Sequence, residues 1–248
     1  MSAHLSELAA DAPEPAIWHE LECGRYRQDL ALWRELARRF GDPVLEVGAG
    51  TGRVALELAR AGHSVTALDH DPVLLAELGR RARGLPVRTT AADARSFELG
   101  GEFALVLAPM QLVQLLGGAE GRRAFLGRVR RHLRARGAAA LAIVEELELF
   151  EESEPGLAPD ACELDGVRFA SQPVAVSVDG DGFVLRRRRR VSAPGSRPVV
   201  TEDAVRLDQI TASELEADAV AAGLALGGRA WVPATRDHTG STVVIVHG

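Results

Sequence analysis

Apolar positions recur at three- and four-residue spacing between Trp18 and Phe40, where Leu30, Trp33, Leu36, Ala37 and Phe40 share one helical face. The spacing predicts an amphipathic helix, interrupted near Gly24 and stopped by Gly41-Asp42-Pro43. Short apolar runs then alternate with helical periodicity. Residues 43–47 predict a first strand, 53–61 a helix ended by Gly62, and 64–69 a second strand. Asp71-Pro72 reads as an N-cap with proline at the first helical position, opening a helix that runs to about Arg83. Strands follow at 87–90, 103–107 and 138–144, with a helix over 119–133 before the last of them. Strands alternating with helices imply a parallel sheet covered on both faces.

The pattern changes after Val144. Residues 145–159 are acidic and loop-like, and from 162 to 207 strands are separated by Asp165-Gly166, Asp179-Gly180-Asp181-Gly182 and Pro194-Gly195-Ser196. Asp-Gly between apolar alternations is a hairpin signal, so this stretch predicts a small antiparallel meander. A helix over 213–222, capped by Ser213 and stopped by Gly223, leads to two last strands at 228–232 and 242–247. The expected organisation is an N-terminal helical cover over residues 1–40. An α/β domain over 41–150 and 208–248 follows, with an antiparallel insertion at 151–207. No internal repeat is present.

The chemistry concentrates in Val44-Leu45-Glu46-Val47-Gly48-Ala49-Gly50-Thr51-Gly52-Arg53. A strand that turns into a helix through glycines lets a ligand approach bare backbone, and the new helix aims its free N–H groups at it. The spacing departs from the dinucleotide fingerprint: the third glycine comes one residue early, and Arg53 stands where a small residue belongs. A phosphate loop needs Gly-Lys, and all 29 Lys-plus-Arg positions of this chain are arginine. Lysine-based covalent or general-base mechanisms are thereby excluded. In an open α/β sheet the ligand lies outside the carboxyl ends of the strands. Asp69, 21 residues beyond Gly48, ends the second strand and suits ribose hydroxyls, while Asp93 follows the third.

Composition narrows the field. With 248 residues, 46% of them apolar and 26% charged, the chain suits one large domain or one domain with an insertion. No apolar run approaches the ~20 residues of a membrane span, and residues 1–15 lack a signal-peptide pattern, so the expectation is a cytoplasmic protein without a membrane partner. A net charge of −6 argues against a nucleic-acid partner. Cys23 and Cys162 form neither a disulfide framework nor a metal cluster, and no metal is expected.

The spacing Glu46-x-Gly48-x-Gly50-x-Gly52 resembles motif I of the class I S-adenosylmethionine-dependent methyltransferases. The segments 44–53, 65–71, 91–94 and 103–116 follow the order and spacing of that family, and Arg25-Tyr26-Arg27-Gln28-Asp29 looks like a small-molecule subgroup. The resemblance is detailed over 17–145. It implies a Rossmann-like, doubly wound, seven-stranded, mostly parallel sheet with the last strand antiparallel, and a small antiparallel β insertion after the fifth strand. It also implies that S-adenosylmethionine is the cofactor. Glu46, Gly48, Ala49, Gly50 and Gly52 would hold its methionyl end, Asp69 its ribose, and His70 would lie beside the adenine. Asp93 would accept from the adenine amine, flanked by Ala92 and Ala94, and Ala108 would lie under the sulfonium. Tyr26, on the covering helix, joins this set.

For the acceptor, Ala108-Pro109-Met110-Gln111 departs from the Asn/Asp-Pro-Pro-aromatic sequence of methyltransferases acting on base amines, which argues for another small molecule, methylated at O or N. Gln111 and Gln114 are candidates to bind a polar substrate or to cap the next helix. His238, in the loop between the last two strands, is a candidate general base, because its ordinary pKa near 6.5 suits proton removal. Glu145 and Glu146 could bind an amine or be solvated. The run of five arginines at 186–190 leaves three readings: a charged protected strand, a contact with the acidic stretch 145–154 of a homodimer partner, or a funnel for an anionic substrate. Two rival functions stay open, a cofactor-binding protein that transfers no methyl group and an NAD(P)-dependent oxidoreductase.

Overall fold

The computed structural model describes residue 8 and residues 11–151, 158–235 and 238–248. Expectations that touch residues 1–7, 9–10, 152–157 or 236–237 lie outside the described residues. Helix α1 (Glu14–His19) passes into a π-helical turn, Glu20–Gly24, and after a break α2 spans Leu30–Phe40. The single amphipathic helix of the sequence reading is thus two helices, parted where Gly24 interrupts the pattern. Five strands and three helices then alternate: β1 (Val44–Val47), α3 (Arg53–Arg60), β2 (Val65–Asp69), α4 (Pro72–Arg81), β3 (Val87–Ala91), β4 (Phe103–Ala108), α5 (Gly118–His132) and β5 (Leu133–Ile143). Four antiparallel strands follow, β6 (Asp160–Leu164), β7 (Val167–Asp179), β8 (Gly182–Ser192) and β9 (Val199–Asp208), before α6 (Ala212–Ala221), β10 (Ala225–Val232) and β11 (Ser241–His247).

The chain forms two compact units. The larger holds residues 27–145 and 210–248, the smaller residues 1–26 and 146–209. The segment up to residue 26 therefore clusters with the insertion, whereas the sequence reading sets residues 1–40 apart as one cover.

In the larger unit the strand order is β10-β11-β5-β4-β1-β2-β3. Strands β1 to β5 run parallel, and β11 lies antiparallel between β5 and β10. β1 and β4 are buried along their whole length, as strands covered on both faces must be. The core joins Leu45, Val47, Val106 and Ile143 of the sheet to Phe125 and Val129 of α5 and Leu215 of α6. From β1 the chain winds outward through β2 to β3, then returns to the other side of β1 with β4. The loop after β1 therefore lies at the switch point of the sheet, the usual crevice for a ligand. Because Thr242 opposes Ile143, the β10–β11 loop reaches that same edge.

Two local expectations are corrected. The cap of α6 is Thr211, not Ser213: the Thr211 hydroxyl accepts the Glu214 N–H, and the Glu214 carboxylate accepts the Thr211 N–H at 2.8 Å, a reciprocal capping box. β5 starts at Leu133 rather than after Gly137, because Phe103 of β4 already pairs with Leu133 ahead of a register shift.

In the smaller unit the sheet order is β6-β7-β8-β9. Asp165 and Gly166 both adopt positive φ, 48° and 76°, as the Asp-Gly hairpin signal predicts. Leu8, Ile17, Trp18, Leu21 and Cys162 form its core, with Phe169 and Val191 against them.

Candidate active site

The glycine loop is held from β2. Gly48 and Ala49 donate their N–H groups to the Leu68 carbonyl at 2.8 and 3.0 Å, and Gly50 donates to Asp69 Oδ2 at 2.8 Å. Gly48 and Gly52 cannot be replaced freely. Their φ angles are 73° and 93°, and a Cβ would stand 2.9 Å from Leu112 Cδ1 at the first and 2.7 Å from Leu78 Cγ at the second.

Glu46 lies beneath this loop and is only 2% exposed. A hydrogen bond from the Ala55 N–H, in the first turn of α3, reaches its carboxylate, yet Oε2 is buried without a partner among the described residues. Burial drives its pKa up to about 8. The charge of Arg53 and the Ala55 N–H oppose the rise, and the nearby Asp29 and Asp69 add to it. Arg53 is committed elsewhere: its guanidinium grips buried Asp29 with two bonds of 2.5 and 2.7 Å, and Asp29 Oδ2 also accepts the Trp33 indole N–H at 2.7 Å. This clamp escaped the sequence reading, because two residues 24 positions apart carry no periodic signal.

Asp69 ends β2, buried, with Oδ1 accepting the Asp71 N–H at 2.9 Å. His70 is 86% exposed, its Nδ1 3.3 Å from Asp69 Oδ1. Asp71 caps α4 through the Val73 N–H at 2.8 Å, as expected. The Asp69 carbonyl accepts the Ala92 N–H at 2.9 Å, which brings Ala92, Asp93 and buried Ala94 to the same edge. The Asp93 carboxylate is already paired with Arg95, at 2.9 Å through Nε and 2.5 Å through Nη2. Those bonds and the Arg95 N–H hold its pKa down at about 2. An adenine amine at Asp93 would share the carboxylate with Arg95.

Ala108 closes β4 fully buried, and Met110 follows with a φ of 56°, uncommon for a residue with a side chain. The structure separates the two glutamines. Gln114 is buried and locked to the end of β5, donating to the Val144 carbonyl at 3.0 Å and accepting the Val144 N–H at 2.8 Å. Gln111 is partly exposed, and its side chain bonds to no described residue, so its amide is open to a ligand. Glu145 is a clasp, accepting the Ala212 N–H at 3.0 Å and the Thr242 hydroxyl at 2.7 Å. His238 sits in the β10–β11 loop, whose backbone it ties to Thr235: its carbonyl accepts the Thr235 N–H at 2.8 Å. Tyr26 belongs to the smaller unit, buried just past the π-helical turn, with its N–H on the Cys23 carbonyl at 3.2 Å. Among the described residues no group of three or more His, Cys, Asp or Glu side chains gathers as a metal site. No described helix is long and apolar enough to cross a membrane.

Residues 44–137 match the family model described as a methyltransferase domain. Among curated proteins, the dimethyladenosine transferase of Saccharomyces cerevisiae is 45% identical over 49 residues, which is 20% of this chain and 15% of that enzyme's length. Solved structures match nearly the whole chain. The S-adenosylmethionine-bound amino pentose methyltransferase CalS10 of Micromonospora echinaspora is 24% identical with a TM-score of 0.71, covering 94% of this chain and 97% of that one. DesVI of Streptomyces venezuelae is 20% identical with a TM-score of 0.70, over 92% and 96% of the two chains. The CcbJ methyltransferase of Streptomyces caelestis is 20% identical with a TM-score of 0.70, over 98% of each. Residues 44–137, which carry the glycine loop at the switch point of the sheet, thus match a methyltransferase domain, and the chain as a whole shares the fold of these solved methyltransferases.

Proposed function

We propose that this methyltransferase moves the methyl group of S-adenosylmethionine to an oxygen or nitrogen of a small molecule. The observation that carries the reading is the cradle after β1: glycines whose Cβ positions are filled by Leu112 and Leu78, lying over the unpartnered Oε2 of Glu46. A cofactor with a cationic end fits that oxygen. When bound, S-adenosylmethionine supplies a methyl group on a sulfonium, an already activated electrophile.

The chain's own residues bind and position. Glu46 and the loop 48–52 would hold the methionyl end, and Asp69, fixed by Gly50 and Asp71, would turn its remaining lone pairs to the ribose. His70, Ala92, Asp93 and Ala94 would flank the adenine. Gln111 would orient the acceptor, and His238 would take its proton, although in-line positioning alone can supply much of the rate. A small-molecule acceptor accords with the amino pentose methyltransferase CalS10, whose fold this chain shares. The proposed setting is the cytoplasm, without nucleic acid, which suits two cysteines held in no disulfide and a net charge of −6. A homodimer is part of the same reading, to be checked by sedimentation.

Calorimetric titration with S-adenosylmethionine, S-adenosylhomocysteine and NAD(H) tests it. Binding of the first two with silence from NAD(H) is expected, and Asp69→Ala should weaken both by roughly 1–3 kcal/mol, the cost of leaving buried hydroxyls unpaired. NAD(H) binding with silence from the other two would overturn the reading. Binding without turnover on any O or N acceptor would mark a cofactor-binding protein instead.

A further inference from the structure

The arginine run lies on β8, where alternation places Arg187 and Arg189 on one face and Arg186, Arg188 and Arg190 on the other. Arg189 is fully engaged. It binds Glu22 with two bonds of 2.8 Å, stands 3.2 Å from Asp203 and covers the Trp18 ring at 5.4 Å. Glu22 also accepts the Ser171 hydroxyl at 2.7 Å. Burial would raise the Glu22 pKa, but those bonds and the charges of Arg189 and Arg187 outweigh it and leave it lowered, so Glu22 stays an anion committed to Arg189.

Arg187 has the same face one step along the strand and feels the charge of Glu22, but it makes none of these bonds. Its cross-strand neighbours are Asp203, which turns to Arg189, and Pro173, which has no hydrogen-bonding side chain. Arg187 makes no hydrogen bond or ion pair with any described residue, and its Nη1 is out of contact with water. A guanidinium in that condition is costly, and its planar fork matches two oxygens of one anion. The residue as a whole is only partly buried, so an anion from solvent can reach it.

We propose that Arg187 anchors an oxyanion-binding site on the smaller unit, taking a carboxylate or a phosphate. The proposal stands apart from the function proposed above.

The test uses the full chain, with Arg187→Met and, as a control on the opposite strand face, Arg186→Met. Pyrophosphate, inorganic phosphate and acetate are titrated at constant ionic strength, following heat and melting temperature. Saturable binding to the wild type and to Arg186→Met is expected. Arg187→Met should bind about tenfold or more weakly, as loss of charge-assisted bonds requires, with S-adenosylmethionine affinity unchanged. Preference between the phosphates and acetate identifies the anion. If Arg187→Met does not fold, Arg187→Lys keeps the charge without the fork and should still bind more weakly. The proposal fails if none of the three anions binds the wild type. It also fails if the variant melts lower but binds them equally, which would make Arg187 a counter-charge to Glu22. Silence towards S-adenosylmethionine would sink the methyltransferase reading and leave this one standing.

Discussion

Glu46 is an acid whose charge the fold does not accommodate. The unfolded chain releases its proton near the ordinary value of 4.5, whereas the folded chain keeps it up to about 8. Over that window the native state binds more protons than the unfolded state, so stability is full below 4.5 and is lost as pH rises towards 8. Thermal unfolding of the ligand-free protein at a series of pH values should show this slope, and Glu46→Gln should flatten it. An equal slope in the variant would refute the assignment. The place of Glu46 was legible from the motif spacing, but its protonation was not. That comes first from burial, which outweighs the opposing charge of Arg53 and which only the folded chain creates. Gln111 and Gln114 teach the same lesson: the two are alike in sequence, and only the position of Val144 decides which is free.

Single side chains that bridge the ends of elements hold the site's edge in place. Asp29, just before α2, clamps Arg53 at the start of α3, and both side chains are at most 5% exposed. Removing one partner strands a buried charge, so Asp29→Ala should lose about 3–5 kcal/mol in urea unfolding, and the double variant Asp29→Leu/Arg53→Met clearly less. Additive losses would show that the two act apart. Most elements were legible because the period of apolar positions changes cleanly from helix to strand. The misses had local causes. The Thr211-x-x-Glu214 signal was present but lost to Ser213, and the start of β5 was hidden by exposed Arg134 and Arg136. Glu145, which caps α6 and holds Thr242 of β11, could not be found from either segment alone.

At the scale of the molecule, the alternation of elements announced the parallel sheet, and the Asp-Gly turns announced the antiparallel one. Ligand linkage should be visible on this scale too. At a concentration of about 100 Kd, S-adenosylhomocysteine should stabilise the protein by roughly 2.7 kcal/mol, read as a rise in melting temperature that continues with the logarithm of ligand concentration. A melting temperature indifferent to it would mean that the native state has no such site. The division into units was not legible, because nothing in residues 14–26 names the strands they pack against. Ile17, Trp18 and Leu21 share a core with Cys162 and Phe169, more than a hundred residues away along the chain. For recombination between relatives this has a definite meaning. A crossover that exchanges the insertion alone would set foreign strands against native Trp18, so productive chimaeras should inherit both stretches from one parent.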